Sequence, residues 1–246
     1  MKEKIIVAAV QMKVLSASNN LPEILNYIKK ASTEKADIIC FPECSFNPNT
    51  DNPSSAKDLL PIQENCKNGN IFAIINGYFK DKRKNIYNRS YLINNKGKIL
   101  GHYDKIHLWI NEIKDVTPGK KEKIFDTPLG KIGMCICWDI FFPAFLEKLR
   151  EGGAELVFCP SYWKDDFGKE TKFVESAPVV MAYQYMQYFV FCNALLSKTG
   201  ITQIAAPWGS AKKIKFKEGM IVANLYADRL KRLKKNFKKA FWEKTF

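Results

Sequence analysis

Short apolar runs alternate with amphipathic segments along the whole chain. The first run is KIIVAAVQM at residues 4–12, and apolar residues at helical spacing follow at residues 20–31. Runs that are apolar throughout are typical of strands buried on both faces. The alternation therefore predicts an α/β fold, built either on one mixed sheet or on two sheets packed face to face with helices outside.

The remaining elements follow the same pattern, without a repeat or a linker. We predict a hairpin in which strands at 86–93 and 99–103 flank the turn at 94–98. Further strands are predicted at 37–41, 71–75, 122–126, 131–136, 155–159 and 188–193, and helices at 54–62, 143–150 and, in part, 169–186. The length of 246 residues fits one large domain, so we expect a single domain over residues 1–246.

The C-terminal segment predicts a basic amphipathic helix at about residues 228–242. Leu230, Leu233, Phe237 and Phe241 follow helical spacing, and lysine and arginine cover the opposite face. Such a helix binds a membrane surface or nucleic acid in some proteins. We favour packing on its own domain or on a second subunit.

Composition excludes several classes of protein. The odd number of cysteines, seven, and the absence of a Cys-x-x-Cys motif argue against a disulfide framework. With only two histidines, a zinc site has little support, and we predict no metal and no cofactor. No apolar run reaches the roughly 18 residues that a membrane span needs. The N-terminus shows no signal peptide, so we expect a cytoplasmic protein.

The chain is strongly basic, with a formal net charge of +14. Only five of the 39 basic residues are arginine, whereas proteins that read nucleic-acid sequence usually depend on the bidentate arginine side chain. The dispersed lysines indicate a solvated surface that attracts anions weakly. We therefore predict no specific nucleic-acid partner.

Cys137 stands at the end of the apolar run KIGMCI and just before a predicted helix at Pro143. A cysteine at a sharp strand-to-helix turn exposes its sulfur beside backbone N–H groups. The positive end of a helix lowers the pKa of a thiol, so a reactive thiolate is expected here. Taken alone, however, a cysteine after a strand is more often a core residue.

Two other charged residues stand next to strand-like segments. Glu43 follows ADIICFP, and Lys105 lies in GHYDKIHL. A thiolate that attacks a carbonyl carbon needs a base or a stabilising positive charge, and the tetrahedral oxyanion needs hydrogen-bond donors. Glu43 can act as the base, and Lys105 can supply the positive charge. Lys105 and a backbone N–H near Trp138 can hold the oxyanion.

The three local sequences together resemble the nitrilase, or carbon–nitrogen hydrolase, superfamily. FPE at 41–43, KIHL at 105–108 and GMCICWD at 133–139, with Phe142-Pro143, occur in the order and at the spacings of that family. Pro160-Ser161 with Trp163 and the IAAPWG segment at 204–209 extend the resemblance over nearly the whole chain.

This resemblance implies a fold, an activity and a catalytic triad. The fold is a four-layer α-β-β-α sandwich of two mixed sheets with helices outside. The triad has Glu43 as general base, Lys105 as electrostatic stabiliser and Cys137 as nucleophile. Glu112 is the candidate for a second active-site glutamate, with Asp115 as the alternative and a plain surface residue as a further possibility. Members of the family form homo-oligomers, so a dimer or larger assembly is expected.

The implied reaction is hydrolysis of a non-peptide C–N bond in a small amide through a cysteine thioester, releasing ammonia or an amine. Hydrolysis of a nitrile or of an N-carbamoyl compound remains open, because Cys137-Trp138 excludes neither. A non-catalytic, basic binding protein on the same fold is the alternative from another class.

Further residues have more than one interpretation. His107 is a structural neighbour of Lys105, or else the general base in place of Glu43; we favour the first. Trp138, Trp163 and Phe46 are candidates for substrate binding, although ordinary core packing is as good an explanation. Phe141 and Ala144 stand where many amidases of the family carry arginine and glutamate, so the resemblance does not identify a substrate.

Overall fold

The computed structural model describes residues 1–15, 20–165 and 170–237. Twelve strands and five helices alternate within these ranges. The strands are β1 (Lys4–Gln11), β2 (Ile38–Cys40), β3 (Phe72–Lys80), β4 (Ile86–Ile93), β5 (Ile99–Asp104), β6 (Lys123–Thr127), β7 (Gly130–Met134), β8 (Leu156–Ser161), β9 (Tyr188–Asn193), β10 (Ile201–Ala206), β11 (Gly209–Lys215) and β12 (Gly219–Tyr226). The helices are α1 (Leu21–Thr33), α2 (Leu60–Asn68), α3 (Pro143–Glu151), α4 (Thr171–Tyr185) and α5 (Ala227–Phe237).

The strands form two mixed sheets of six. The first has the order β12-β1-β2-β3-β4-β5, and the second has the order β11-β10-β9-β8-β7-β6. In each sheet three neighbouring strands pair in parallel, and every other pair of neighbours is antiparallel. The predicted hairpin is formed by β4 and β5.

Side-chain alternation in β1 shows how the layers pack. Ile5, Val7 and Ala9 join the core shared with the second sheet, whereas Ala8 and Val10 join a separate core with α1 and α2. Helices α3 and α4 contribute to the core of the second sheet. The two sheets therefore face each other with helices outside, and the prediction of a four-layer α-β-β-α sandwich is confirmed.

Helix α5 follows β12 directly. Its Leu230 is buried, and Leu233 is half-buried. The part of the predicted helix beyond residue 237 lies outside the described residues. Leu230 joins the core that the two sheets share. None of the helices in the described ranges is long and apolar enough to cross a bilayer.

The backbone of Gly119 packs directly against the backbone at the end of β5. Its N–H donates to the carbonyl oxygen of Lys105 at 2.8 Å, and a Cβ at this position would lie 2.1 Å from the carbonyl oxygen of Asp104. Because both contacting groups are backbone, Gly119→Ala must displace the segment that carries Lys105. We expect a loss of about 1–3 kcal/mol in the free energy of unfolding, measured by urea denaturation.

The matched control for that measurement is the neighbouring exposed residue Lys120. Lys120→Ala should change the free energy of unfolding by less than about 0.5 kcal/mol. Equal stability of the Gly119→Ala and Lys120→Ala proteins would show that the backbone contact is not restrictive.

Candidate active site

Cys137 sits at a sharp turn between β7 and α3. The chain leaves the strand through Cys135 and Ile136 and enters a 3₁₀ turn at Cys137–Phe141 before α3 begins at Pro143. Cys137 has a φ of +45°, in the left-handed region that residues with a side chain rarely adopt. The strand-to-helix turn predicted from the sequence is present, and the strained backbone points to a local functional constraint.

The carboxylate of Asp139 stabilises this turn through hydrogen bonds. It accepts hydrogen bonds from the Ile136 N–H at 2.9 Å, from the Tyr103 hydroxyl at 2.7 Å and from the His107 N–H at 3.0 Å. Asp139 is fully buried, and it connects the turn that carries Cys137 to the segment that carries Lys105. The sequence analysis assigned no task to Asp139, although its position two residues after Cys137 is that of a capping residue for the 3₁₀ turn.

His107 belongs to the same support. Its Nδ1 lies 2.8 Å from Oδ1 of Asp139, and its ring stacks on Phe142 with 3.5 Å between centroids. These contacts direct the imidazole at Asp139 and α3. They favour the structural interpretation of His107 over its use as the general base.

Glu43, Lys105 and Glu112 form a buried ionic cluster. The ammonium of Lys105 lies 2.8 Å from Oε1 of Glu43 and 2.7 Å from Oε2 of Glu112. Lys105 is only 2% exposed. Glu43 follows β2, Lys105 follows β5, and both strands end at the same edge of the first sheet because they run in the same direction.

Backbone and side-chain donors complete the shells of both carboxylates. The N–H of Tyr162, just after β8, donates to Oε2 of Glu43 at 2.8 Å. Glu112 accepts the Trp109 N–H at 2.8 Å and the Tyr78 hydroxyl at 3.2 Å. Glu112 therefore occupies a fixed position in the cluster, whereas Asp115 is exposed.

The charges of this cluster stabilise one another. Burial alone would lower the pKa of Lys105, but the carboxylates of Glu43 and Glu112 raise it well above its ordinary value. Burial alone would raise the pKa of Glu112, but the Lys105 ammonium and the hydrogen bonds to Glu112 lower it. Lys105 is therefore held as a cation and Glu112 as an anion.

The thiol of Cys137 behaves differently from the sequence-based expectation. Burial raises its pKa well above the ordinary value, and the negative charge of Glu43 raises it further, while Lys105 acts in the opposite direction. The expectation of a lowered pKa is therefore wrong. Cys137 is the first residue of a short 3₁₀ turn and does not lie in the first turn of α3, where the helix dipole acts; it is 8% exposed.

One cavity joins these groups. Glu43, Lys105, Glu112 and Cys137 line it together with the predicted binding residues Trp138 and Trp163. The cavity is also lined by residues that the sequence analysis missed, among them Cys44, Tyr78, Trp109, Asn111, Tyr162, Lys164 and Glu170. These residues lie outside the motifs that identified the triad, so only the fold reveals that they meet there.

Phe46 is the candidate that the structure places elsewhere. It is absent from the residues that line the cavity, and its ring stacks on Phe79 in the core between the first sheet and its helices. The prediction of substrate binding by Phe46 is corrected accordingly. Between Glu43 and Phe46 the chain passes through Cys44, which has a φ of +60°.

The chain is similar to known proteins over most of its length. The family model for carbon-nitrogen hydrolases matches residues 6–235. A probable nitrilase of Schizosaccharomyces pombe is 30% identical over 94% of this chain and 92% of its own length. The human omega-amidase NIT2 is 25% identical over 62% of each chain.

Solved structures share the fold at low identity. Nit3 of Saccharomyces cerevisiae, a member of the nitrilase superfamily, superimposes with a TM-score of 0.86 at 22% identity, over 98% of this chain and 97% of the other. An amidase from Nesterenkonia sp., in complex with acrylamide, gives a TM-score of 0.81 at 16% identity, over 96% and 97%. With the family model spanning nearly every described element, the chain belongs to the carbon-nitrogen hydrolase family.

Proposed function

We propose that this carbon–nitrogen hydrolase cleaves the C–N bond of a small amide through a thioester on Cys137. The observation that carries the proposal is the buried Lys105 ammonium between the carboxylates of Glu43 and Glu112, in the cavity that Cys137 lines. A buried cation beside a thiol and a carboxylate supplies an activated nucleophile and a stabilising charge in one place.

The raised pKa of Cys137 assigns the first step to a base. Because burial and Glu43 disfavour the resting thiolate, the thiol proton passes to Glu43 as the sulfur attacks the carbonyl carbon. The C=O π bond breaks, and the resulting oxyanion is stabilised by Lys105 and by a backbone N–H at Trp138. One such donor contributes roughly 3–4 kcal/mol to stabilising the transition state.

The remaining steps restore the enzyme. Glu43 returns the proton to the leaving nitrogen, the C–N bond breaks, and ammonia or an amine departs from the acyl-thioester. Water then gives a proton to Glu43 while its oxygen attacks the thioester carbon. Cleavage of the C–S bond releases the acid, and the proton on Glu43 returns to the sulfur. Glu112 keeps Lys105 in position throughout.

Nitriles are the second candidate substrates, since the relative from S. pombe is named as a probable nitrilase. N-carbamoyl compounds are the third. Trp138 and Trp163 are among the aromatic residues of the cavity wall, and we propose that they contact the acyl group. The relatives named as amidases favour the amide.

A substrate panel tests this order. Small amides, nitriles and N-carbamoyl amino acids are incubated with the purified chain, and release of ammonia is measured. We expect turnover of amides to exceed turnover of the other two classes. Faster release from nitriles would reverse the order. Salt-sensitive binding to nucleic acid without ammonia release from any compound would favour the non-catalytic alternative.

We also propose that the chain is a single domain that works in the cytoplasm as a homo-oligomer. The family membership supports the oligomer, and the continuous core between the sheets supports the single domain. Light scattering coupled to size-exclusion chromatography measures the assembly. A monomeric mass across the concentration range of the activity assay would contradict the oligomer.

A further inference from the structure

Asn88 of β4 contacts both Glu43 and Glu112 and is fully buried. Its Nδ2 donates to Oε1 of Glu43 at 2.7 Å and to Oε1 of Glu112 at 2.6 Å. An amide nitrogen carries two protons, so one side chain serves both carboxylates at once. Lys105 contacts the same pair, and the backbone N–H of Lys105 donates to the carbonyl oxygen of Asn88 at 2.9 Å.

The orientation of Asn88 is fixed by a second asparagine. The N–H of Cys44 donates to Oδ1 of Asn76 at 2.6 Å. Because a backbone N–H only donates, the carbonyl of Asn76 must face Cys44 and its amide nitrogen must face the other way. That nitrogen donates to Oδ1 of Asn88 at 3.0 Å and to Oγ of Ser90 at 3.0 Å. The amide nitrogen of Asn88 is thereby directed at the glutamates.

We propose that Asn88, oriented by Asn76, is a positioning residue that holds Glu43 and Glu112 as a fixed, ionised pair. This inference rests on the proposed function. Lys105 alone leaves two carboxylates sharing one positive charge. The two protons of Asn88 give each carboxylate a neutral donor as well, and a hydrogen bond to the ionised form favours that form.

A consequence for the proton transfer follows. The pKa of Glu112 is lowered, with Lys105 as the main favourable cause and the hydrogen bond from Asn88 among the others. Glu112 therefore stays ionised beside Lys105. The charged and titratable groups that face the two glutamates, besides each other, are Lys105, Cys137, Cys44, Tyr78 and Tyr162.

The test replaces Asn88 by an apolar residue of similar size. In Asn88→Leu the carboxylate of Glu112 loses a donor to its ionised form, so the pKa of Glu112 rises. We expect the acidic limb of the pH–rate profile to move upward by roughly one pH unit. We also expect kcat for the best amide of the panel to fall roughly 10- to 100-fold, with KM changed less than kcat.

Ser90→Ala is the matched control. Ser90 lies in β4, is also fully buried and accepts a hydrogen bond from Asn76, but it makes no contact with either glutamate in the described hydrogen bonds. Its acidic limb should stay at the wild-type pH. If Asn88→Leu fails to fold by circular dichroism, Asn88→Ser provides the test, since a hydroxyl supplies one proton and should shift the limb by a smaller amount in the same direction.

A substrate-free measurement separates this proposal from the proposed function. Titration of ¹³C-labelled glutamate carboxyls by NMR, with Glu112→Gln for assignment, gives the pKa of Glu112 whether or not any amide is hydrolysed. A rise in Asn88→Leu, and none in Ser90→Ala, supports the positioning task. The proposal is overturned if the folded Asn88 variant keeps the wild-type pKa of Glu112, or if Ser90→Ala shifts it equally.

Discussion

Cys137→Ala is expected to abolish amide turnover, with a loss of roughly 10⁴-fold or more in kcat. In the proposed mechanism the sulfur forms the covalent intermediate, so Lys105 and Glu43 have no thioester to stabilise or hydrolyse in this variant. Removal of one sulfur from a buried position leaves the ionic cluster of Glu43, Lys105 and Glu112 in place. We therefore expect the variant to fold and to retain binding of the amide.

Two measurements check this prediction. Ammonia release gives kcat, and mass spectrometry after rapid quenching shows whether an acyl group is attached to the protein. The wild-type chain should gain the mass of the acyl group on the peptide that contains Cys137. The Cys137→Ala protein should gain none.

Cys66 provides the matched control. It lies in α2 within the outer core, and burial raises the pKa of its thiol to about 12. Cys66→Ala should keep wild-type turnover per folded molecule. Retained turnover in Cys137→Ala, or an acyl group on Cys44, the other thiol that lines the cavity, would refute the assignment of the nucleophile.

The layers of this fold can be predicted from the sequence, because strands that are buried on both faces are apolar throughout. Continuous apolar runs such as that of β1 indicate strands with two buried faces, and only sheets covered on both sides provide them. The turn at 94–98 defined the hairpin of β4 and β5. Helix ends were less accurate: α2 ends at Asn68, after an initial 3₁₀ turn at Ala56–Leu59, whereas the apolar spacing indicated an end near residue 62.

The three residues predicted to meet do share one cavity, for a topological reason. Glu43 and Lys105 follow strands of the first sheet, and Cys137 follows a strand of the second, so the facing of the two sheets brings them together. The order and spacing of motifs carried this information through the family resemblance. Residue types alone did not, since lysine, glutamate and cysteine each have commoner structural explanations.

Other features depend on three-dimensional detail that sequence patterns do not contain. Phe46 packs on Phe79 in the core between the first sheet and its helices, a placement that its position three residues after Glu43 does not indicate. The pKa of Cys137 is decided by burial, which outweighs the helix end expected from the sequence. Asn76 and Asn88 stand in strands that were identified by their apolar neighbours. Nothing in the pattern indicates that Asn88 donates to two carboxylates or that Asn76 donates to Asn88.

Lys105→Met is expected to remove both activity and a large part of the stability. The side chain is 2% exposed, and its loss leaves the carboxylates of Glu43 and Glu112 buried without their shared cation. Removing one partner of a buried ion pair typically lowers the free energy of unfolding by roughly 3–5 kcal/mol. Turnover should fall below detection, because the oxyanion loses its charged donor. Urea denaturation and ammonia release measure the two effects.

The pH dependence of the stability loss identifies its cause. In the native protein the pKa of Glu112 is lowered. Its pairing therefore contributes stability above the pKa of an unfolded glutamate, about 4.3, and this contribution is lost as the pH falls through the lower folded value. The difference in unfolding free energy between wild type and Lys105→Met should therefore be largest near neutral pH and should shrink in acid.

A second replacement separates stability from catalysis. Lys105→Met with Glu112→Gln removes one unpaired charge and should recover part of the stability at neutral pH, without recovering turnover. Equal stability of the single and double variants at neutral pH would mean that the buried charge is compensated in another way, whereas restored turnover would remove Lys105 from the proposed mechanism.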